Sequence, residues 1–167
     1  MPGYVIHLAI AKEYLKKNKE DNIDEFLEGT IYPDLVKPKE DSHYGKSPKN
    51  TNLKSFLENN ELNTSFKRGH FLHLIADYIF YNRYILEMPE GGLYNDYDLT
   101  NKDLIEKYNI EIPKKIEDSI YFKEGKIKVL HLDLVIKLIK EVSELNLKQV
   151  KEEALSNEKK WNTFIHN

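Results

Sequence analysis

His73 and Asp77 are the residues whose types and spacing come closest to a chemical site. They lie four residues apart in a segment with helical periodicity, so their side chains project from one face, a turn apart. An imidazole and a carboxylate at this spacing can chelate one metal ion. His70 lies three residues before His73 on the same stripe. Because buried polar groups need partners, we expect a hydrogen-bond network or a metal ion to satisfy this stripe.

Three further residues are candidates to join this pair. His7 lies inside an otherwise apolar helical segment, Asp34 directly follows Pro33, and His43 lies in a polar stretch. Each also has a simpler interpretation, respectively a histidine satisfied in the core, a cap or turn residue, and a solvated loop residue. The chain has no cysteine, so any transition metal must be bound by nitrogen and oxygen ligands.

Helices dominate the predicted secondary structure that must position these residues. Apolar residues at helical spacing predict helices over about 3–18, 23–28, 53–57, 64–86, 101–108, 132–145 and 147–164, with a further short one beginning at Pro113. The segment 64–86 is apolar nearly all the way round, which predicts a long buried central helix. Residues 122–130 could form a small hairpin. These features predict an all-α fold, a single domain over 1–167 with about six helices around the central one.

Two segments between the predicted helices carry candidate ligands. The helix that begins near residue 23 is expected to end at Gly29, and Pro33 disfavours helix in the residue before it. Asp34 is therefore expected in or just after a loop. Residues 37–52 are rich in polar residues, glycine and proline, which predicts a long polar loop that carries His43.

Composition excludes several classes of protein. The 25 basic and 28 acidic residues are interspersed, so no strong nucleic-acid patch is expected. No run approaches the roughly 20 apolar residues that span a bilayer, and the first basic residues follow the apolar stretch instead of preceding it. We therefore expect neither a transmembrane segment nor a signal peptide, and predict a cytoplasmic protein.

In order and in type, the candidate residues resemble those of the bacterial zinc-dependent phospholipase C family and its cousins, the single-strand-specific zinc nucleases. The resemblance lies in the first half of the chain, in His7, Gly29-Thr30-Ile31-Tyr32-Pro33-Asp34, Ser42-His43 and Gly69-His70-Phe71-Leu72-His73-Leu74-Ile75-Ala76-Asp77. It implies an all-α fold in which zinc is bound by His7, Asp34, His43, His73 and Asp77. It further implies one ion surrounded by the last four residues, with Asp77 bridging towards a second ion bound by His7. Manganese or iron are alternatives to zinc.

The chain also departs from that family. Members carry a second pair, His-x-x-x-Glu, on a later helix, whereas neither His131 nor His166 is followed by a carboxylate at that spacing. A third metal ion is therefore expected to be absent. Asp96 and Asp98 could substitute, although an interpretation as acidic turn and N-cap residues is simpler.

The chemistry that fits such a site is hydrolysis of a phosphate ester. A metal ion with an open position lowers the pKa of a bound water to about 7. Asp34 is the candidate to orient or deprotonate that water, and His70 is the candidate to orient a ligand. Phospholipids, nucleic acids and small phosphodiesters all remain open as the phosphate-containing substrate, as does the oligomeric state. The alternative is a non-catalytic, metal-stabilised helical module that binds a protein partner; a histidine-aspartate phosphohydrolase is discounted because no His-Asp dipeptide occurs.

Overall fold

Eight α-helices account for most of residues 3–156, the part of the chain that the computed structural model describes. Their bounds are α1 Tyr4–Lys17, α2 Ile23–Leu35, α3 Glu40–His43, α4 Leu53–Asn59, α5 Ser65–Ile79, α6 Tyr94–Tyr108, α7 Leu132–Ser143 and α8 Leu147–Ser156. Two 3₁₀ turns, Pro48–Asn50 and Lys114–Ser119, lie between them. Residues 3–156 contain no strand, so the predicted all-α class is confirmed, with more helices than the six or so expected.

The predicted central helix is α5, and its burial is confirmed. Every residue from Gly69 to Ile79 is buried. The Thr64 hydroxyl caps the N-terminus by accepting the backbone N–H of Lys67 at 3.1 Å. The helical path continues beyond Ile79 as a π-helical turn, Phe80–Tyr84, so the predicted end at residue 86 is two residues late.

Two glycines allow α2 and α5 to make the most extensive helix contact in the described chain. A Cβ atom added to Gly69 would lie 2.1 Å from the Phe26 carbonyl oxygen, and one added to Gly29 would lie 2.1 Å from that of Phe66. Neither site has room for a side chain, so the two backbones are in direct contact. This approach brings the C-terminal part of α2, which carries Asp34, alongside α5.

The predicted end of the second helix at Gly29 is wrong. Instead, α2 runs through Gly29 and Pro33 to Leu35, which places Asp34 in its last turn and not in a loop. Gly29 serves the contact with α5 and does not terminate the helix. Pro33 removes only its own N–H, and the Pro33 carbonyl oxygen is satisfied from outside the helix by the Ser42 hydroxyl, at 2.9 Å.

The prediction of a long polar loop over 37–52 is confirmed only in part. Outside α3 and one 3₁₀ turn the segment is irregular, but Ser42 and His43, in α3, are fully buried. They point inwards because they hydrogen-bond to each other and to the end of α2. His43 is therefore a core residue and not a solvated one.

The C-terminal half surrounds α5 and α1. Helix α6 begins at Tyr94 and not near 101, and it packs against α1, as does α7. The predicted hairpin at 122–130 is absent from the described residues; the backbone N–H groups of 128, 129 and 130 donate to the Asp96 carboxylate at 2.8–3.0 Å instead of to a strand. The predicted end of the last helix, near Phe164, lies outside the described residues.

Membrane insertion through a helix has no support in residues 3–156. None of the helices described there is both long enough and apolar enough to span a bilayer.

Candidate metal centre

Four buried side chains converge between α2, α3 and α5. Asp34, His43, His73 and Asp77 each offer one ligand atom, and these atoms all lie within 4.8 Å of one another. From His43 Nε2 to the carboxylate oxygens of Asp77 and Asp34 the distances are 2.9 and 3.8 Å. The corresponding distances from His73 Nε2 are 3.2 and 3.5 Å. We call these four residues the four-donor group.

These distances match the spacing of ligands around one small ion. Donor atoms placed tetrahedrally at about 2.0–2.2 Å from a zinc ion lie about 3.3–3.6 Å from one another. The observed nitrogen–oxygen distances of 2.9, 3.2, 3.5 and 3.8 Å bracket that value. A donor set of two imidazoles and two carboxylates suits zinc, manganese or iron. The four-donor group could therefore hold a metal ion.

The tautomer of His73 is fixed by the backbone of α2. His73 Nδ1 lies 2.6 Å from the Thr30 carbonyl oxygen, which can only accept a hydrogen bond, so Nδ1 carries the proton. In the neutral ring, the lone pair is then on Nε2, the atom that faces Asp34 and Asp77. A metal-binding histidine commonly has this arrangement, with its second nitrogen bonded to a carbonyl or carboxylate oxygen.

Both ring nitrogens of His43 have hydrogen-bond partners. The Ser42 hydroxyl lies 2.9 Å from the Pro33 carbonyl oxygen and 3.3 Å from that of Lys39, and it donates to one of them. In that arrangement it accepts from His43 Nδ1, which lies 2.9 Å away. His43 Nε2 lies 2.9 Å from Asp77 Oδ2, a hydrogen bond in which a metal ion would take the place of the proton. The sequence places Ser42 beside His43 but does not indicate this role.

The converging imidazole nitrogens and carboxylates favour a bound cation. His73 Nε2, Asp34 Oδ2 and Asp77 Oδ1 are buried and have no hydrogen-bond partner among residues 3–156. Without a metal, burial lowers the pKa of His73, but the charges of Asp77 and Asp34 outweigh it and raise that pKa to about 10. Burial likewise raises the pKa of Asp34, but His73 outweighs it and lowers that pKa to about 2. The site thus binds a positive charge strongly, whether a proton or a metal ion supplies it.

His7 lies against this group but on its other side. Its ring stacks on that of His73 with centroids 3.6 Å apart. His7 Nε2 lies 3.2 Å from Asp77 Oδ1 and 3.9 Å from Asp34 Oδ2, the carboxylate oxygens that do not face His43. Neither ring nitrogen of His7 has a hydrogen-bond partner in the part of the chain that the structure describes. Each carboxylate therefore presents one oxygen to His43 and His73 and the other to His7.

His70 contacts the backbone next to the four-donor group and not its ligand atoms. Its Nε2 lies 2.8 Å from the Ser42 carbonyl oxygen, so it holds the backbone that carries His43. Burial lowers the pKa of His70 to about 3, and the ring therefore stays neutral. This contact is a structural hydrogen bond whose effect on the site passes through Ser42.

Asp34 connects the four-donor group to the surface. The Lys39 ammonium lies 3.2 Å from Asp34 Oδ1, and the Tyr4 hydroxyl donates to the Asp34 backbone carbonyl at 3.2 Å. Both Lys39 and Tyr4 also line cavities that open to solvent. Sequence reasoning gave neither residue a role, and no motif marks them.

Two cavities flank this side of the molecule. The larger, of about 470 Å³, is lined by Gly3, Tyr4, Tyr94, Tyr97, Asp98, Asn101, Ser119, Ile120, Tyr121 and Lys123. The smaller, of about 320 Å³, is lined by Lys39, Pro48, Tyr81, Met88, Gly92, Leu93, Tyr94 and Tyr97. The ligand atoms themselves line neither cavity. Residues that line the cavities, Lys39 and Tyr4, make the contacts with Asp34.

No family model, curated protein or solved structure matches the chain. The all-helical fold and the buried His/Asp group agree with the resemblance to zinc-dependent phospholipases C and zinc nucleases at that level, and no comparison places the chain in that family.

The alternative ligands Asp96 and Asp98 are engaged elsewhere. Asp96 accepts three backbone N–H groups from residues 128–130, and Asp98 pairs with Lys123 at 3.3 Å. Neither belongs to the four-donor group. Their simpler interpretation as residues that stabilise local backbone and surface structure fits these contacts.

Proposed function

We propose that this protein is a metal-dependent hydrolase that cleaves a phosphate ester, with zinc as the first candidate metal and manganese or iron as alternatives. The observation that supports the proposal is the four-donor group, in which two imidazole nitrogens and two carboxylates face one another at the spacing of ligands around a single ion. Their hydrogen bonds to Thr30 and Ser42 orient both rings before any ion binds.

The number of bound ions sets the net charge of the site, and therefore the charge of the substrate that it attracts. Asp34 and Asp77 together neutralise one divalent ion, and a second ion beside His7 would leave the site with a net positive charge that attracts an anion. The two carboxylate oxygens that face His7, both without hydrogen-bond partners, support a second position. A divalent ion with an open position supplies a Lewis acid and activates water at neutral pH.

Asp34 is our candidate for the residue that orients or deprotonates the attacking water. Its Oδ2 is buried without a hydrogen-bond partner, while Oδ1 is bound by the Lys39 ammonium. The carboxylate can therefore accept a proton or a hydrogen bond on one oxygen while the other stays paired. Lys39 supplies a positive charge on the side that faces the smaller cavity.

One observation favours a second candidate function, a structural ion in a non-catalytic module. All four ligand side chains are fully buried, and four protein ligands complete a tetrahedral shell. A structural zinc site has a closed shell of this kind, whereas a catalytic one keeps a position for water. In that case the helical surface would serve a protein partner.

Elemental analysis of tag-free protein tests the metal site. We expect one or two equivalents of metal in the wild type, loss of metal in His73→Ala and Asp77→Ala, and loss of one of two equivalents in His7→Ala. His131→Ala is the matched control because His131 is exposed and remote from the group. Full metal content in His73→Ala and Asp77→Ala would rule out the assigned site.

Hydrolysis of bis(4-nitrophenyl) phosphate and 4-nitrophenyl phosphate by the metal-loaded protein tests the reaction. We expect turnover that disappears together with the metal in His73→Ala and persists in His131→Ala. A protein that retains its metal but hydrolyses neither ester would favour the structural ion. A protein that binds no metal even from excess zinc would overturn both functions.

A further inference from the structure

Tyr97 has a buried hydroxyl without a hydrogen-bond partner. It lies in the first turn of α6, the residue is 7% exposed, and it lines both cavities beside the four-donor group, although its hydroxyl oxygen is sealed from solvent. Its oxygen has no hydrogen-bond partner among residues 3–156. Buried hydroxyls are nearly always hydrogen-bonded, because leaving one unpaired costs its full desolvation. The missing partner is therefore expected to come from outside the described residues.

The surroundings of Tyr97 indicate what that partner would be. The smaller cavity also contains Lys39, whose ammonium is bound to Asp34 Oδ1 at 3.2 Å, so a cationic group and a phenol share one cavity. Both groups donate hydrogen bonds, a combination that suits an anion with several acceptor oxygens. Gly3 packs on the ring of Tyr97, and a Cβ atom added to Gly3 would lie 3.3 Å from Tyr97 Cγ, a tight contact.

The hydroxyl also lies within the electrostatic reach of the four-donor group. Burial first, and then the charges of Asp77 and Asp34, raise the pKa of Tyr97 well above its ordinary value. The phenol therefore keeps its proton and acts as a donor. These charges would be balanced by a bound ion, whereas the effect of burial would persist.

We propose that Tyr97 is an anion-binding residue: once an ion occupies the four-donor group, the Tyr97 hydroxyl donates a hydrogen bond to a phosphoryl oxygen of the ester, which reaches the ion from the smaller cavity. This inference rests on the proposed function and assigns a position to the substrate. Neither the hydroxyl nor the ligand atoms are exposed to that cavity in this structure, so the proposal requires the side chains between them to move when the ester binds. The remainder of the ester would then occupy the cavity, whose other walls include Tyr81, Met88 and Leu93.

Binding of inorganic phosphate to the zinc-loaded protein, measured by isothermal titration calorimetry, tests the proposal without requiring turnover. We expect Tyr97→Phe to weaken phosphate binding by about 10-fold to 100-fold, as for loss of a hydrogen bond to a charged group, with zinc content unchanged. Tyr108→Phe is the matched control, because Tyr108 lies on the same helix but lines neither of the two cavities. We expect it to bind phosphate as the wild type does.

The melting temperature of the same variants supplies a second readout. If the Tyr97 hydroxyl serves a ligand, its removal relieves an unpaired buried group, so Tyr97→Phe should melt at the wild-type temperature or above it when phosphate is absent. A hydroxyl with a structural role would give a lower melting temperature.

Three results in Tyr97→Phe would overturn the assignment: unchanged phosphate affinity, loss of zinc, and a lower melting temperature without phosphate. Failure of the proposed function alone looks different, because the wild type would then bind phosphate, and Tyr97→Phe would bind it more weakly, without hydrolysis of either ester. A wild type that binds no phosphate would overturn both.

Discussion

Replacing Gly69 by alanine should push α2 away from α5 and thereby weaken metal binding, although Gly69 is not itself a metal ligand. The new Cβ atom would lie 2.1 Å from the Phe26 carbonyl oxygen, whereas contacts under 3.0 Å are essentially never found. The two backbones must therefore move apart by about 1 Å at this point, since neither atom belongs to a flexible side chain.

The movement is large compared with what the site tolerates. The hydrogen bond from His73 Nδ1 to the Thr30 carbonyl oxygen is 2.6 Å long and would stretch to about 3.6 Å, beyond the range of a hydrogen bond. Asp34 moves with α2, while His73 and Asp77 stay with α5. Because metal–ligand distances must hold to about 0.2 Å, we expect zinc affinity to fall by at least 10-fold to 100-fold.

Helix propensity alone predicts the opposite result for stability. Alanine in a helix interior is favoured over glycine by about 1 kcal/mol, so without a clash Gly69→Ala would stabilise the protein. Forcing an extra methyl group into a close-packed contact costs typically 1–3 kcal/mol, and the lost His73 hydrogen bond adds about 1 kcal/mol more. We expect a net loss of about 2 kcal/mol, which lowers the melting temperature by roughly 4–8 °C in a protein of this size.

Thermal melts of the metal-free protein and zinc titrations against a competing chelator measure the two effects. Gly91→Ala is the control, because an added Cβ there meets no atom within 4 Å, although the positive φ of 82° makes alanine unfavourable. It should lose some stability and keep its zinc affinity. If Gly69→Ala melts at or above the wild-type temperature and binds zinc normally, the glycine contact does not position the site.

Three other perturbations address the surroundings of the site. Ser42→Ala removes the hydroxyl that accepts from His43 Nδ1, so zinc affinity should fall by about 10-fold to 100-fold in a competition titration, whereas Ser55→Ala should leave it unchanged. Burial lowers the pKa of His7 to about 4 and that of His70 to about 3, both from 6.5. Below pH 6.5 the unfolded chain therefore binds more protons than the folded one. The free energy of unfolding of the metal-free protein should fall by roughly 1 kcal/mol per pH unit for each histidine as the pH drops from about 6.5 towards 4. Equal free energies of unfolding in urea at about pH 6 and about pH 5 would contradict this. Asp96→Ala leaves the N–H groups of 128–130 without their acceptor and should cost about 2–4 kcal/mol in thermal unfolding, yet the folded variant should retain its metal; loss of the metal would make Asp96 part of the site.

Periodicity predicted the part of the site that lies on one helix. The burial of α5 follows from its apolar residues on every face, and the spacing of His73 and Asp77 follows from helical geometry. Both signals are local, so a single sequence carries them. His7 was also placed correctly in a helix, because α1 has the same apolar character.

The remaining features depend on contacts between segments distant in sequence. Gly29 and Pro33 are local signals for a helix end, but the contact of Gly29 with Phe66 lets α2 continue. The polar composition around Ser42 predicts a solvated loop, whereas its hydroxyl is bonded to His43 and to the Pro33 carbonyl.

Tyr97 lies before the helix predicted over 101–108, because the start of α6 is too polar to give a helical apolar pattern. In the structure Tyr97 packs against Gly3, which is far from it in the sequence. No neighbour in the sequence indicates that contact, so periodicity could not predict it.

The four ligands come from one limited stretch of the chain, and this arrangement affects the order in which the protein can fold. Its ligands all lie between Asp34 and Asp77, and the chain has no cysteine with which to form a disulfide. A bound ion would act as the missing cross-link, closing the loops between α2, α3 and α5 and stabilising them against unfolding. Since that cross-link requires no residue beyond 77, metal capture can precede the docking of α6, which completes the cavities only when it brings Tyr97 to them.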